Sequence, residues 1–297
     1  MVPVIYGCEG LTPTPEEINF YSKAQPLGFI LFERNCQSPA QVKALIKQLK
    51  ACVSHANVPI LIDQEGGRVV RLKPPHWLPR PAAKTFTSAQ AVYENAISMA
   101  YELAELGITV DCAPCADLLI EGADDIIGDR AFSADPNVVT EFSIAMLKGL
   151  EGGGIIPVIK HMPGHGRAPV DSHEELPVVE TDLATLRATD FLPFKALASA
   201  SKLAWGMTAH VIYSDIDPVN VATQSKDIIN TIIRTEIGFS GFLVSDCLTM
   251  KALTGTFEEK ARKSMQAGCD ALLMCKGTVA EFESVAHGSC RSSDRNF

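Results

Sequence analysis

A chain of 297 residues, 46% hydrophobic and 21% charged, has ordinary globular composition and can bury one large core, roughly 75% of the surface it exposes unfolded. Its formal net charge of −9, with no block of Lys or Arg, argues against nucleic-acid binding and against attachment to anionic lipid. No apolar run approaches the ~20 residues that span a bilayer, the N-terminus has no basic or apolar leader region, and the nine scattered cysteines suit reduced thiols better than a disulfide framework. The expectation is therefore a cytoplasmic protein of one domain, residues 1–297, acting as a monomer or homodimer without membrane or nucleic-acid partners.

In chain order, eight short apolar runs occupy 2–8, 28–32, 59–65, 108–117, 155–162, 203–211, 241–248 and 270–275. They are nearly continuous in apolar residues, which fits parallel strands covered on both faces. Between them, 39–55, 88–105, 137–151, 183–200 and 224–236 carry helical patterns, and Ser38-Pro39 reads as an N-cap followed by proline at the first helical position. Strand and helix in alternation predict an α/β fold, a (β/α)8 TIM-type barrel. The main alternative, an open doubly wound sheet, would carry an early glycine-rich phosphate turn, and the sequence has none. An eighth helix has only 278–286 to form from, and Cys290 to Phe297 read as irregular.

Barrel chemistry sits at the C-terminal ends of the strands. There the runs deliver Asp63 and Glu65, then Asp117, Lys160-His161, His210 and Asp246, a convergence of ionisable groups on one rim. The most informative stretch begins at Lys160 and ends at His173: Pro163 and Gly164 break the strand, Gly166 loosens the loop, and Asp171 and His173 follow two residues apart. Side chains two apart on extended backbone share a side, so Asp171 can hold one ring nitrogen of His173 and fix its tautomer for proton transfer.

That stretch resembles the Lys-His-(Phe or Ile)-Pro-Gly-His-Gly … Asp-Ser-His motif of glycoside hydrolase family 3, its bacterial β-N-acetylglucosaminidase branch in particular, with Met162 at the Phe/Ile position. Ser245-Asp246-Cys247-Leu248-Thr249-Met250 is similar to the family's nucleophile segment, with Cys247 unusual after the aspartate. Ile62 to Arg71 and Ile127 to Ser133 resemble two sugar-binding segments of the same family, so four motifs run in order from 63 to 246. The resemblance implies Asp246 as nucleophile, His173 as general acid/base supported by Asp171, and Asp63, Arg71, Arg130, Lys160 and His161 as holders of a terminal N-acetylglucosamine. It implies a retaining exo-β-N-acetylglucosaminidase of the peptidoglycan-recycling type, releasing the sugar from anhydro-muropeptides, with no cofactor and no metal. The acid would be an imidazole where most glycosidases use a second carboxylic acid.

Several readings stand beside this one. A metal-dependent barrel hydrolase could draw on His161, His165, His173, His210 and Asp246, although Lys160 would oppose a cation there. A sugar-binding protein without turnover, a phosphorylase using phosphate in place of water, and a β-glucosidase would keep the same pocket residues. Cys112 and Cys115, three apart on a strand, face opposite sides and read as core or wall thiols. His210 could line the pocket or cap the rim; Trp77 and Trp205 read as packing, and Glu174 and Glu175 as solvent-facing.

Overall fold

The computed structural model describes residues 1–290; the predicted irregular tail falls on 291–297, outside the described residues, apart from Cys290. Eight parallel strands close into a barrel: β1 (Val2–Tyr6), β2 (Pro26–Leu31), β3 (Ile60–Ile62), β4 (Val110–Asp111), β5 (Ile156–Met162), β7 (Trp205–Thr208), β9 (Leu243–Cys247) and β10 (Ala271–Met274). β10 pairs back onto β1 with Val4 beside Leu272. The predicted TIM-type barrel is the fold, and each predicted run contributes one of its strands. A separate two-stranded ribbon, β6 (Val178–Val179) with β8 (Ile212–Tyr213), ties the segment after β5 to the segment after β7.

The helices alternate with the strands: α1 (Pro15–Ala24), α2 (Pro39–Ala51), α3 (Ala89–Leu106), α4 (Pro136–Gly152), α5 (Leu183–Ala188), α6 (Phe191–Ala200), a π-helical stretch Ile228–Glu236 after β7, α7 (Phe257–Ala267) and α8 (Val279–Ser289). Side-chain caps start many of them; Ser38 accepts from the Gln41 amide at the head of α2, as the sequence predicts. None of these helices is long and apolar enough to cross a membrane.

The apolar runs have no polar alternation because both faces of the barrel are covered. Ile5, Ile30, Leu61, Val110, Val158, Met207, Val244 and Leu273, one from each strand, fill the interior and form the floor beneath the strand ends. Their neighbours, such as Val4, Ile60 and Ile62, face the helices. The predicted strand at 108–117 shortens to two residues because Pro114 has no amide to donate. The chain still runs beside β5, with Lys160 donating its amide to the Pro114 carbonyl at 3.1 Å. Cys112 and Cys115 fall into separate buried clusters, as expected of thiols on opposite sides.

α8 is the shortest prospect in the sequence, yet it closes the barrel. Thr278 and Glu281 form a capping box at its start. Phe282 is buried against Tyr6, ring centroids 4.8 Å apart, and its carbonyl accepts the Tyr6 hydroxyl at 2.9 Å. Burying a side chain of that size is worth about 1.5–3 kcal/mol, enough to dock a short helix onto β1.

Candidate active site

A cavity of about 710 Å³ opens at the C-terminal ends of the strands. Asp63, Arg71, Arg130, Lys160, His161, His173 and Asp246 all line it, and so does Glu65. Seven of the eight site residues predicted from sequence are thus on its wall, and the eighth, Asp171, is bonded to His173.

On one side lies a charge network. Lys160 is 2% exposed, and its Nζ sits 2.9 Å from Asp63 Oδ1 and 2.6 Å from Glu65 Oε1. Arg130 clamps Glu65 with Nε to Oε2 at 2.9 Å and Nη2 to Oε1 at 2.8 Å. Arg71 Nη2 stands 3.4 Å from the other Asp63 oxygen. Burial works to raise both carboxyl pKa values, but the cations overcome it and hold Asp63 and Glu65 below the usual carboxylate range. Burial likewise works against the Lys160 charge, and Asp63 and Glu65 more than reverse it.

The turn behind Asp63 explains how Glu65 and Arg71 face the same space. Gly66 and Gly67 take φ of +115° and +57°, where a side chain is strained, and a Cβ on Gly66 would meet the Pro81 carbonyl oxygen at 2.2 Å. The reversal lets the Glu65 amide donate to the Val69 carbonyl at 2.9 Å.

His161 is oriented from behind. Its Nδ1 lies 2.7 Å from Asp117 Oδ2, and the His165 amide donates to Asp117 Oδ1 at 2.6 Å. Burial works to raise the Asp117 pKa, but His161 and His165 bring it down to about 2. That leaves His161 Nε2 toward the site, 3.5 Å from Arg130 Nη2. His165 is itself buried; desolvation and His161 lower it to about 4, so it is neutral and its Nε2 meets the Ser172 hydroxyl at 3.0 Å.

The third group is on the loop after β5. Asp171 Oδ1 accepts from the His173 main-chain amide and lies 2.8 Å from His173 Nδ1. The pair is partly exposed, unlike the charge network. Around it the loop is tied down: the Ala252 amide donates to the Ser172 carbonyl at 3.2 Å, Lys251 pairs with Glu174, and Tyr213 donates to the Gly164 carbonyl at 2.6 Å. Gly166 is needed for close approach rather than for looseness, because a Cβ there would sit 2.2 Å from the Leu118 carbonyl oxygen.

Asp246, on β9, completes the wall. Its Oδ1 accepts the Cys247 amide at 2.6 Å. Burial opposes its charge, but His161 and that amide hold its pKa below the ordinary aspartate value. His210 does not line the cavity: it is fully buried, Nδ1 on Thr223 Oγ1 at 2.7 Å and Nε2 on the Cys247 carbonyl at 3.1 Å. Desolvation keeps its ring neutral, against the pull of Asp246. The five donors considered for a metal site are not brought together; among the described residues the one cluster of three potential ligands is Cys115, Asp117 and His161. His161 Nδ1 is already engaged by Asp117, and Arg130 lies beside the ring.

Residues 12–289 match the family described as glycosyl hydrolase family 3 N terminal domain. The chain belongs to glycosyl hydrolase family 3. It is a glycoside hydrolase, and its barrel is the family's N-terminal domain. Among curated relatives in family 3, the β-hexosaminidase of Alkalilimnicola ehrlichii is 38% identical over 92% of this chain and 80% of its own. The β-hexosaminidase of Tolumonas auensis is 36% identical over 94% of this chain and 85% of its own. Among solved family 3 structures, the β-N-acetylglucosaminidase from Paenibacillus sp. superposes with a TM-score of 0.91 at 29% identity; the alignment takes in 99% of this chain but only 57% of that longer one. NagZ from Neisseria gonorrhoeae in complex with N-trifluoroacetyl-D-glucosamine gives a TM-score of 0.88 at 32% identity, covering 97% of this chain and 85% of that one.

Three residues that the sequence marks only as rim groups (Glu65 and Asp117) or as a candidate metal ligand (His165) take supporting places in the family 3 site: Glu65 bridges Lys160 and Arg130, Asp117 lies behind His161, and His165 lies beneath Ser172. Glu65 and Asp117 stood at strand ends, which was the available signal.

Proposed function

We propose that this family 3 enzyme is a retaining exo-β-N-acetylglucosaminidase that cleaves terminal, non-reducing, β-linked N-acetylglucosamine. The observation that carries the mechanism is the meeting, on one cavity, of an ionised Asp246 and an imidazole braced by a carboxylate. Asp246 has one oxygen held by the Cys247 amide, which leaves Oδ2 to attack the anomeric carbon. His173 presents Nδ1 to Asp171, which leaves Nε2 to hand a proton to the departing glycosidic oxygen. The product of this step is a glycosyl ester on Asp246. A water then attacks the same carbon, His173 Nε2 takes its proton, and the Asp246 carboxylate leaves with net retention. Asp63, Arg71, Arg130, Lys160 and His161 hold the sugar, offering charge-assisted partners to its hydroxyl and amide groups. Their mutual ion pairs keep them in place before substrate arrives.

The fragment left behind is a muropeptide, cleaved in the cytoplasm during recycling of cell-wall material. Support comes from the cavity mouth. In a chain of net charge −9, Arg34 and Lys276 line the opening, and no carboxylate pairs with either among the described residues. Such a rim suits an aglycone bearing carboxylates. The test is initial rate on aryl β-N-acetylglucosaminide against aryl β-glucoside, each with and without phosphate. The proposal expects a clear preference for the acetamido sugar and no dependence on phosphate. Equal rates on both sugars would refute the N-acetyl assignment, and phosphate-dependent turnover would make the enzyme a phosphorylase.

A further inference from the structure

We propose that Cys247 and Cys275 are an oxidation site on the wall of the catalytic cavity, where a peroxide joins them in a disulfide that switches turnover off. Cys247 ends β9 directly after Asp246, and Cys275 directly follows β10, the neighbouring strand. Both line the cavity, so a water-sized oxidant reaches them by the route water takes. The Cys275 amide donates to the Cys247 sulfur at 3.3 Å, and the Thr249 hydroxyl lies 3.1 Å from the same sulfur. A disulfide needs Cα atoms about 4.4–6.8 Å apart. The Cys247 sulfur touches the Cys275 main-chain nitrogen across neighbouring strands, so joining the two sulfurs calls for local side-chain adjustment rather than unfolding of either strand.

The donors also set the reactivity. Chiefly through the Cys275 thiol and against burial, they bring the Cys247 thiol down to about 7, so much of it is thiolate at neutral pH. Burial pushes the thiols of Cys8, Cys36, Cys112, Cys115 and Cys269 upward instead. The Cys247 thiolate attacks one peroxide oxygen, the O–O bond breaks, and hydroxide leaves and takes a proton as water. The Cys275 thiol then attacks the sulfenic sulfur; the S–S bond forms, the S–O bond breaks, and a second water departs with the thiol proton. Two thiols are oxidised and one peroxide is reduced; a dithiol reverses the step.

The cross-link acts through Asp246. The Cys247 amide holds Asp246 Oδ1 at 2.6 Å, so drawing the Cys247 sulfur off Thr249 and the Cys275 amide moves the residue that orients the carboxylate. A displacement of about 1 Å in a reacting group can cost ~100-fold in rate. This effect rests on the nucleophile assignment; the cross-link itself does not.

The test treats the reduced full chain with hydrogen peroxide, blocks remaining thiols with iodoacetamide and maps tryptic peptides by mass, with activity read in parallel. The expected result is the Cys247 and Cys275 peptides joined and lighter by two hydrogens, activity down by about tenfold or more, and recovery with dithiothreitol. In Cys275→Ser the joined species is absent, and Cys247 is found singly oxidised instead. Alkylation of both thiols after peroxide, or a cross-link between other cysteines such as Cys8 and Cys36, overturns the site. Cross-linking with turnover unchanged overturns the switch. If Asp246→Asn stays active, the nucleophile reading fails while the cross-link stands.

Discussion

Lys160→Met removes the buried ammonium while keeping an unbranched side chain. Lys160 contacts Asp63 at 2.9 Å and Glu65 at 2.6 Å from a position only 2% exposed. Breaking a buried pair by removing one partner typically costs about 3–5 kcal/mol. Glu65 keeps its two bonds from Arg130, which moderates the loss, whereas Asp63 retains only Arg71 at 3.4 Å. We therefore expect about 3–4 kcal/mol, at the low end of that range. At roughly 2–4 °C per kcal/mol this lowers Tm by about 6–16 °C. The pH dependence has a definite sign. Lys160 is raised above its unfolded value, so its contribution is complete below about pH 10 and fades as pH rises through the folded value. Asp63 and Glu65 are lowered, so theirs is present above about pH 4 and is lost as pH falls. The Tm gap between wild type and variant should thus be flat from about pH 5 to 9 and narrow in acid. Thermal unfolding across pH decides the matter: a gap under ~2 °C, or one that widens in acid, would refute the reasoning.

His173→Ala should slow substrates with poor leaving groups by about 10²–10⁴-fold and activated aryl glycosides far less, because only the former need protonation; equal losses in kcat/KM on both would remove the acid role. Asp117→Asn keeps the shape but exchanges an acceptor of His161 Nδ1 and the His165 amide for a mixed amide. It should raise KM for the sugar more than it lowers kcat on activated substrates, by about tenfold if one charge-assisted bond of ~1.5 kcal/mol is lost; an unchanged KM argues against a positioning role. Because Asp246 lies below the ordinary aspartate range, the acid limb of kcat/KM should fall below about pH 4. An acid limb near pH 6 that survives in His173→Ala would contradict an ionised Asp246.

How much of this was legible in the sequence follows from what each feature depends on. The strands were readable because a barrel buries both faces, so Leu61 inside and Ile60 and Ile62 outside all had to be apolar. Asp171 and His173 were readable because their contact is local, two residues apart. Lys160, Asp63 and Glu65 meet across 97 residues of chain, and only the strand-end rule and the family motifs pointed to them. The support shell was hidden. Nothing local says that Asp117 reaches His161, or that His210 turns from the cavity toward Thr223 and the Cys247 carbonyl, since barrel closure sets both. The closing helix looks too short in sequence because the Tyr6–Phe282 contact that docks it joins opposite ends of the chain.

The central claim is that the sugar is carried covalently by Asp246. A fluorinated N-acetylglucosaminyl fluoride that glycosylates the enzyme faster than water releases it would trap that ester for peptide mass mapping. One added sugar is expected on the peptide containing Asp246, and none in Asp246→Asn. A sugar found on any other residue, or an active enzyme that forms no adduct, would contradict it.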